Sequence, residues 1–77
     1  MEGGKMKISI TYCVPWNYLP EATSLAAAIS DEIGVEAELI EGKGGIFDVV
    51  VDGNLIFSKK KVARFPENSE ILEMLRK

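Results

Sequence analysis

A chain of 77 residues, 47% of them hydrophobic, has room for one small domain and is too apolar for a disordered protein. Its formal net charge of −3 argues against a nucleic-acid partner, and a composition with one cysteine and no histidine excludes a Cys/His zinc or iron–sulfur site within one chain. Its apolar runs fall short of the roughly 18–20 residues that span a bilayer, so the sequence predicts no membrane segment.

The first six residues lack the apolar core of a signal peptide. We predict a flexible leader over residues 1–6 and a single domain over residues 7–77. A lone thiol without an export signal favours a cytoplasmic location, where thiols stay reduced. Because no disulfide can form within the chain, its stability must come from packing or self-association, and a monomer and a weak dimer are both open.

The predicted elements begin with a strand, since apolar and polar residues alternate from residue 7 to residue 12. After a loop over residues 14–17, the apolar residues of segment 18–33 recur at helical spacing. Pro20 suits the first turn of this helix, and Gly34 is placed to end it. The predicted apolar stripe of the helix contains Ala22, Leu25, Ala26, Ile29 and Ile33.

The next segments predict three more strands. Residues 35–40 alternate again, and their polar side forms a solvated face with Glu36, Glu38 and Glu41. Residues 46–51 are rich in β-branched and apolar side chains, Asp52-Gly53 is typical of a hairpin turn, and residues 55–58 form the returning strand.

The pattern of the C-terminal residues predicts an edge strand of the sheet and a helix. We expect the run Lys59-Lys60-Lys61 to be a solvated edge strand, because lysines discourage pairing between edges. Phe65-Pro66 precedes a last helix, whose predicted apolar face contains Ile71, Leu72, Leu75 and, at its margin, Met74.

These elements predict the fold class. The first strand–helix–strand connection is long enough for a right-handed parallel crossover, and the later hairpin is antiparallel. The sequence therefore predicts an α/β (α+β) fold, a β-α-β-β-α sandwich with a mixed four-stranded sheet. Its expected core includes Ile8, Ile10, Leu25, Ile29, Phe47, Val49 and Leu75.

Cys13 is the candidate reactive residue, because it lies at the predicted junction of the first strand and the first helix. The positive pole of a helix and its unpaired N–H groups favour thiolate over thiol. We therefore expect Cys13 to be at least partly exposed. The alternative is that it is a small buried hydrophobic residue.

The neighbours of Cys13 also have two interpretations each. Trp16 is either a platform for a ligand beside the thiol or a ring packed on the nearest strand or helix. Pro15 restricts Val14 to extended geometry, which either presents the thiol or shapes a turn. Gly44 and Gly45 lack the following Lys-Ser/Thr of a phosphate-binding loop, so they are either part of a binding surface or a connection.

Four motifs in a fixed order carry a resemblance over roughly residues 7–75. They are Tyr12-Cys13-x-x-Trp16, Gly42-x-Gly44-Gly45-Ile46-Phe47-x-Val49, Asp52-Gly53-x-Leu55-Ile56-x-Ser58-Lys59-Lys60 and Phe65-Pro66. Together they resemble the selenoprotein W-related (Rdx) family, which includes selenoproteins T, W and H. This resemblance implies a thioredoxin-like fold and thiol redox chemistry linked to glutathione or thioredoxin systems and to protein partners.

The resemblance also marks a departure. Family members usually carry Cys-x-x-Cys or Cys-x-x-selenocysteine in the first loop, and here Cys13 occupies the first position and Trp16 the second. Dithiol exchange therefore cannot be carried over. What remains is a monothiol oxidoreductase with Cys13 as its catalytic residue, no bound cofactor, a low-molecular-weight thiol as co-substrate, and a thiol reductant or client protein as partner.

The alternative is a non-catalytic thioredoxin-like module that binds proteins. The expected partner or substrate contacts, under either hypothesis, are Val14, Pro15, Trp16, Tyr18, Gly44 and Gly45.

Overall fold

A computed structural model describes residues 6–76 of the chain. The strands are β1 (Ile8–Cys13), β2 (Glu38–Gly42), β3 (Phe47–Val51) and β4 (Asn54–Ser58). The helices are α1 (Leu19–Ile33), α2 (Lys59–Val62) and α3 (Asn68–Leu75). Most of the predicted leader lies outside the described residues. Met6, which we assigned to it, is half-buried and packs against the core.

The four strands form one mixed sheet in the order β2-β1-β3-β4. The central strand β1 runs parallel to β2 and antiparallel to β3, and β3 and β4 form an antiparallel hairpin. The predicted fold class and mixed four-stranded sheet are thus confirmed. The full order is β-α-β-β-β-α-α. All four segments predicted as strands are strands, although the abbreviated order β-α-β-β-α counts only three, and the short helix α2 was not predicted.

The core lies between one face of the sheet and helices α1 and α3. Every core residue predicted above is buried, and α1 contributes Ala22, Leu25 and Ile29. Gly34 ends α1 in the left-handed conformation with φ of 78°, and its N–H donates to the carbonyl oxygens of Ile29 and Ser30. Pro20 lies in the first turn of α1, so both the proline and the glycine occupy the positions that the sequence predicts for them.

Two boundaries differ from the prediction. The second strand begins at Glu38 because its register with β1 runs from Ser9↔Glu38 to Cys13↔Gly42, which depends on a distant part of the chain. The lysine run is a helix rather than an edge strand: lysine is a good helix former, and Ala63, in the left-handed conformation, closes the turn with an N–H bond to the carbonyl of Lys59. The three glutamates of the predicted polar face are exposed.

An ion pair fixes the start of α3. The carboxylate of Glu70 accepts two hydrogen bonds from the guanidinium of Arg64, both 2.9 Å long, and a third of 3.2 Å from the backbone N–H of Glu67. The bonds from Arg64 first, and then the bond from Glu67, lower the pKa of Glu70 from its usual 4.5 to about 2. The same pairing raises the pKa of Arg64.

This pair predicts a loss of stability in acid. Since the folded state lowers the pKa of Glu70, the unfolded chain binds the proton more readily. The contribution of Glu70 is fully present above pH 4.5 and disappears as the pH falls towards about 2. The stability difference between the wild type and Glu70→Gln, measured by denaturant unfolding, should therefore shrink over this range.

Glu73 is the matched control, because it is an exposed glutamate on the same helix. The difference between the wild type and Glu73→Gln should change less over the same range of pH. Equal acid dependence of the two differences would contradict a specific role for the pair Arg64–Glu70.

Candidate functional site around Cys13

Cys13 is the last residue of the central strand, not the first residue of a helix. It pairs with Gly42 of β2, and α1 starts only at Leu19, after a turn over residues 14–17. The turn is held by N–H donation from Tyr18 to the carbonyl of Cys13 (3.0 Å) and from Asn17 to the carbonyl of Val14 (2.9 Å). Cys13 therefore lies at the junction of β1 and α1, as predicted, with the turn between it and the first residue of the helix.

The thiol of Cys13 is fully buried, with an exposed fraction of 0%. Its Sγ accepts a hydrogen bond of 3.2 Å from the backbone N–H of Gly45. Our expectation of a partly exposed thiol is thus wrong, because the loop between β2 and β3 folds over the end of β1. This contact brings together two residues that the sequence had placed in separate motifs.

Glycine is favoured where this loop passes under Trp16. Gly45 has φ of 79°, in the left-handed region that residues with a Cβ rarely adopt. A Cβ at this position would lie 2.6 Å from Cζ3 of the Trp16 ring. The ring therefore lies directly on Gly45, and Gly45 in turn contacts the sulfur. Gly44, with φ of 74°, has more room, since the nearest atom to a Cβ there would be Nζ of Lys60 at 3.8 Å.

Trp16 lies on the loop between β2 and β3. It packs on a neighbouring segment, yet 62% of its surface is exposed, so it is not a core anchor. Its ring meets Tyr18 edge to face with 6.1 Å between centroids, Tyr18 meets Phe65 at 4.7 Å, and Phe65 meets buried Phe47 at 5.3 Å. A chain of aromatic contacts thus connects the exposed ring to the core.

Lys59 completes this group, and sequence analysis missed it. Its Nζ lies 5.4 Å from the ring centroids of both Tyr18 and Phe65, a distance that allows cation–π attraction. The family motifs Ser58-Lys59-Lys60 and Phe65-Pro66 were the sequence signal for this contact, but only the fold shows that Lys59 lies over two rings.

Pro15 lies on the exposed part of the turn, next to Val14, of which 47% is exposed.

Other kinds of site are not found in the part of the chain that the structure describes. Residues 6–76 contain no group of three or more histidine, cysteine or acidic side chains arranged to hold a metal ion. None of the helices in this range has the length and apolarity needed to cross a membrane.

With the fold and the thiol located, comparison with known proteins gives the family. A sequence model of the Rdx family matches residues 7–77. The chain belongs to the Rdx family. This confirms the resemblance that the four motifs carried, although Trp16 occupies the second redox position.

Relatives of this Rdx-family protein include two mammalian proteins, each named migration and invasion enhancer 1. The mouse protein is 32% identical and the bovine protein 30% identical, in both cases over 76 residues and 97% of this chain. The alignment covers 66% of each relative, so the chain spans about two thirds of their length.

Two crystal structures share the fold. The selenoprotein W-related protein of Vibrio cholerae superposes with a TM-score of 0.88 at 25% identity and covers 95% of both chains. A Bordetella parapertussis protein superposes with a TM-score of 0.87 at 24% identity, covering 95% of this chain and 96% of its own. Family membership and the thioredoxin-like fold together support a small redox-related protein.

Proposed function

We propose that this Rdx-family protein is a single-thiol redox protein, in which Cys13 reacts when the turn and loop above it open. The observation that supports this proposal is the N–H of Gly45 donating to Sγ at 3.2 Å. This contact joins Cys13 to a loop from a second family motif, so the position of that loop controls access to the nucleophilic sulfur.

The proposed reaction needs one external disulfide and one external thiol. The Cys13 thiol first loses its proton to solvent, and its Sγ attacks one sulfur of the external disulfide. An S–S bond forms between Cys13 and that sulfur while the original S–S bond breaks and releases a thiolate. A second external thiolate then attacks the mixed disulfide, which regenerates Cys13 and forms a new disulfide. No resolving cysteine within the chain is needed.

Because Cys13 is buried, we expect opening of the turn and loop to limit the rate at which its sulfur reacts with an external disulfide. An external disulfide must reach Sγ, which is fully buried and contacts Gly45, on which the ring of Trp16 lies. Most of the covering turn is exposed to solvent, and such segments open at a lower free-energy cost than the core. We therefore expect the thiol to react more slowly than a model peptide.

Intact mass after treatment with oxidised glutathione tests this function. We expect one glutathione adduct or a Cys13–Cys13 dimer, either of which dithiothreitol reverses, and none in Cys13→Ser. Trp16→Ala should speed formation of the adduct, since it removes the ring that covers Gly45. If neither the wild type nor Trp16→Ala forms an adduct while folded, although both do when unfolded in denaturant, Cys13 is structural.

A second candidate function is favoured by the exposed apolar residues. The exposed fractions of Trp16 (62%), Val14 (47%) and Leu19 (43%) are high for large hydrophobic side chains, and these residues are close in sequence beside a buried thiol. Aromatic residues are enriched in the cores of protein interfaces. A protein-binding module would keep its partner affinity in Cys13→Ser, whereas a thiol redox protein would lose its activity.

A further inference from the structure

Four of the nine basic residues of this acidic protein lie in one short segment, and two of them approach the residues around the covered thiol. The chain has a formal net charge of −3, yet the segment 58–66 contains three lysines and one arginine and no acidic residue. Helix α2 and the turn after it form the first part of this segment. The charge of this segment therefore has the opposite sign to that of the whole chain.

One of these cations lies over an aromatic ring of the site, and a second lies at the loop that covers the thiol. Nζ of Lys59 lies 5.4 Å from the ring centroid of Tyr18, and Nζ of Lys60 is the nearest atom to the position that a Cβ of Gly44 would take. Neither lysine forms an ion pair with any other residue in the range 6–76. Arg64 differs, because Glu70 neutralises it.

We propose that Val14, Trp16, Tyr18, Lys59 and Lys60, here called the aromatic–lysine surface, dock a segment of another protein in which carboxylates adjoin an apolar or aromatic side chain. The apolar side chain would pack on Trp16 and Val14, and the carboxylates would meet the two lysines. Burial of an aromatic anchor beside complementary charges is the usual basis of affinity and orientation at protein interfaces. This inference deepens the binding candidate above and rests on the same surface, but it does not require Cys13 to be reactive.

The net charge favours a short acidic segment over an extended polyanion. A nucleic acid or an anionic bilayer covers a large area and would also meet the many carboxylates of this chain, which carries 12 acidic residues against 9 basic ones. Interactions between exposed charges are screened beyond about 10 Å at ordinary salt, so a short segment responds mainly to the lysines it touches. The local surface thus suits a protein segment.

The test uses two synthetic peptides and the full chain labelled with ¹⁵N. One peptide carries two glutamates next to a phenylalanine and a leucine, and the other has glutamine in place of each glutamate. The acidic peptide should cause saturable shifts at the amides of residues 14–18, 44, 45, 59 and 60 and at the indole N–H of Trp16. It should bind roughly tenfold more tightly than the glutamine peptide, with affinity falling as salt rises.

Variants identify the surface. Lys59→Gln/Lys60→Gln should weaken binding of the acidic peptide roughly fivefold, and Lys59→Arg/Lys60→Arg should keep it, since two cations at two contacts are the expected determinant. Lys7→Gln/Lys61→Gln is the matched control, because it removes the same charge from exposed positions outside the surface. Thermal unfolding of each variant verifies the fold.

The outcomes separate this inference from the redox proposal. Equal binding of the two peptides, equal effects of the two glutamine double variants, or tighter binding to phosphatidylserine vesicles or oligothymidine would overturn it. Retained peptide binding in Cys13→Ser would support it, even if no glutathione adduct forms in the wild type. Loss of binding in Trp16→Ala, with the fold intact, would support it as well.

Discussion

Gly45→Ala is expected to expose Cys13 and to raise its alkylation rate by about tenfold or more. A Cβ at this position would lie 2.6 Å from the Trp16 ring, and the residue would keep a φ of 79° at a cost of about 1–2 kcal/mol. Both effects favour opening of the loop, and about 1.4 kcal/mol changes an open population tenfold. The measurement is the rate of iodoacetamide modification by mass spectrometry under native conditions.

Gly44→Ala is the matched control for this prediction. Its φ of 74° imposes a similar backbone cost, but a Cβ there would meet nothing closer than Nζ of Lys60 at 3.8 Å. The alkylation rate of Gly44→Ala should therefore rise less. Equal rates in the two variants would show that backbone strain, rather than the ring of Trp16, controls access to the thiol. Equal rates in Gly45→Ala and the wild type would refute the gating role of the loop.

Leu25→Ala should lower the free energy of unfolding by about 2–5 kcal/mol. Leu25 is 1% exposed at the centre of the buried face of α1, so the substitution leaves a cavity against the sheet. A domain of this size has a total stability of about 5 kcal/mol at the low end of the usual range, and the variant is expected to be close to unfolding. Urea denaturation followed by circular dichroism measures the difference.

Leu19→Ala makes the same chemical change on the same helix, at a residue that is 43% exposed. Its unfolding free energy should differ from that of the wild type by less than about 1 kcal/mol. Similar losses in both variants would contradict the packing described above, because alanine is a better helix former than leucine and helix propensity cannot cause a loss.

Local patterns were sufficient for most of the fold. The helical spacing of Leu25 and Ile29 and the glycine at position 34 predicted α1, and alternation predicted β1. The start of β2 was missed because Val35 and Ala37 continue the alternating pattern, while pairing with β1 begins only at Glu38. Strand register depends on a partner far away in sequence, which a local pattern does not contain.

The sequence predicted most of the residues that form the candidate site, but it did not predict how they are arranged. The motifs named Cys13, Trp16 and Gly45, and the structure places the three in contact through Gly45. Burial of the thiol could not be predicted, because it depends on a loop that crosses from β2 to β3 over the end of β1. Lys59 was missed for the same reason, since its contact with Tyr18 spans α2 and the turn before α1.

The central place of β1 has a consequence for synthesis of the chain. The first of the four described strands to be synthesised is an inner strand with two partners: it pairs with β2, and its Ile8 aligns with Val51 at the end of β3. Such long-range pairing slows folding, because the intervening chain loses its freedom before the contacts form. Until residue 51 has emerged, β1 has an unpaired edge, so truncated or stalled chains are the forms of this protein most prone to aggregation.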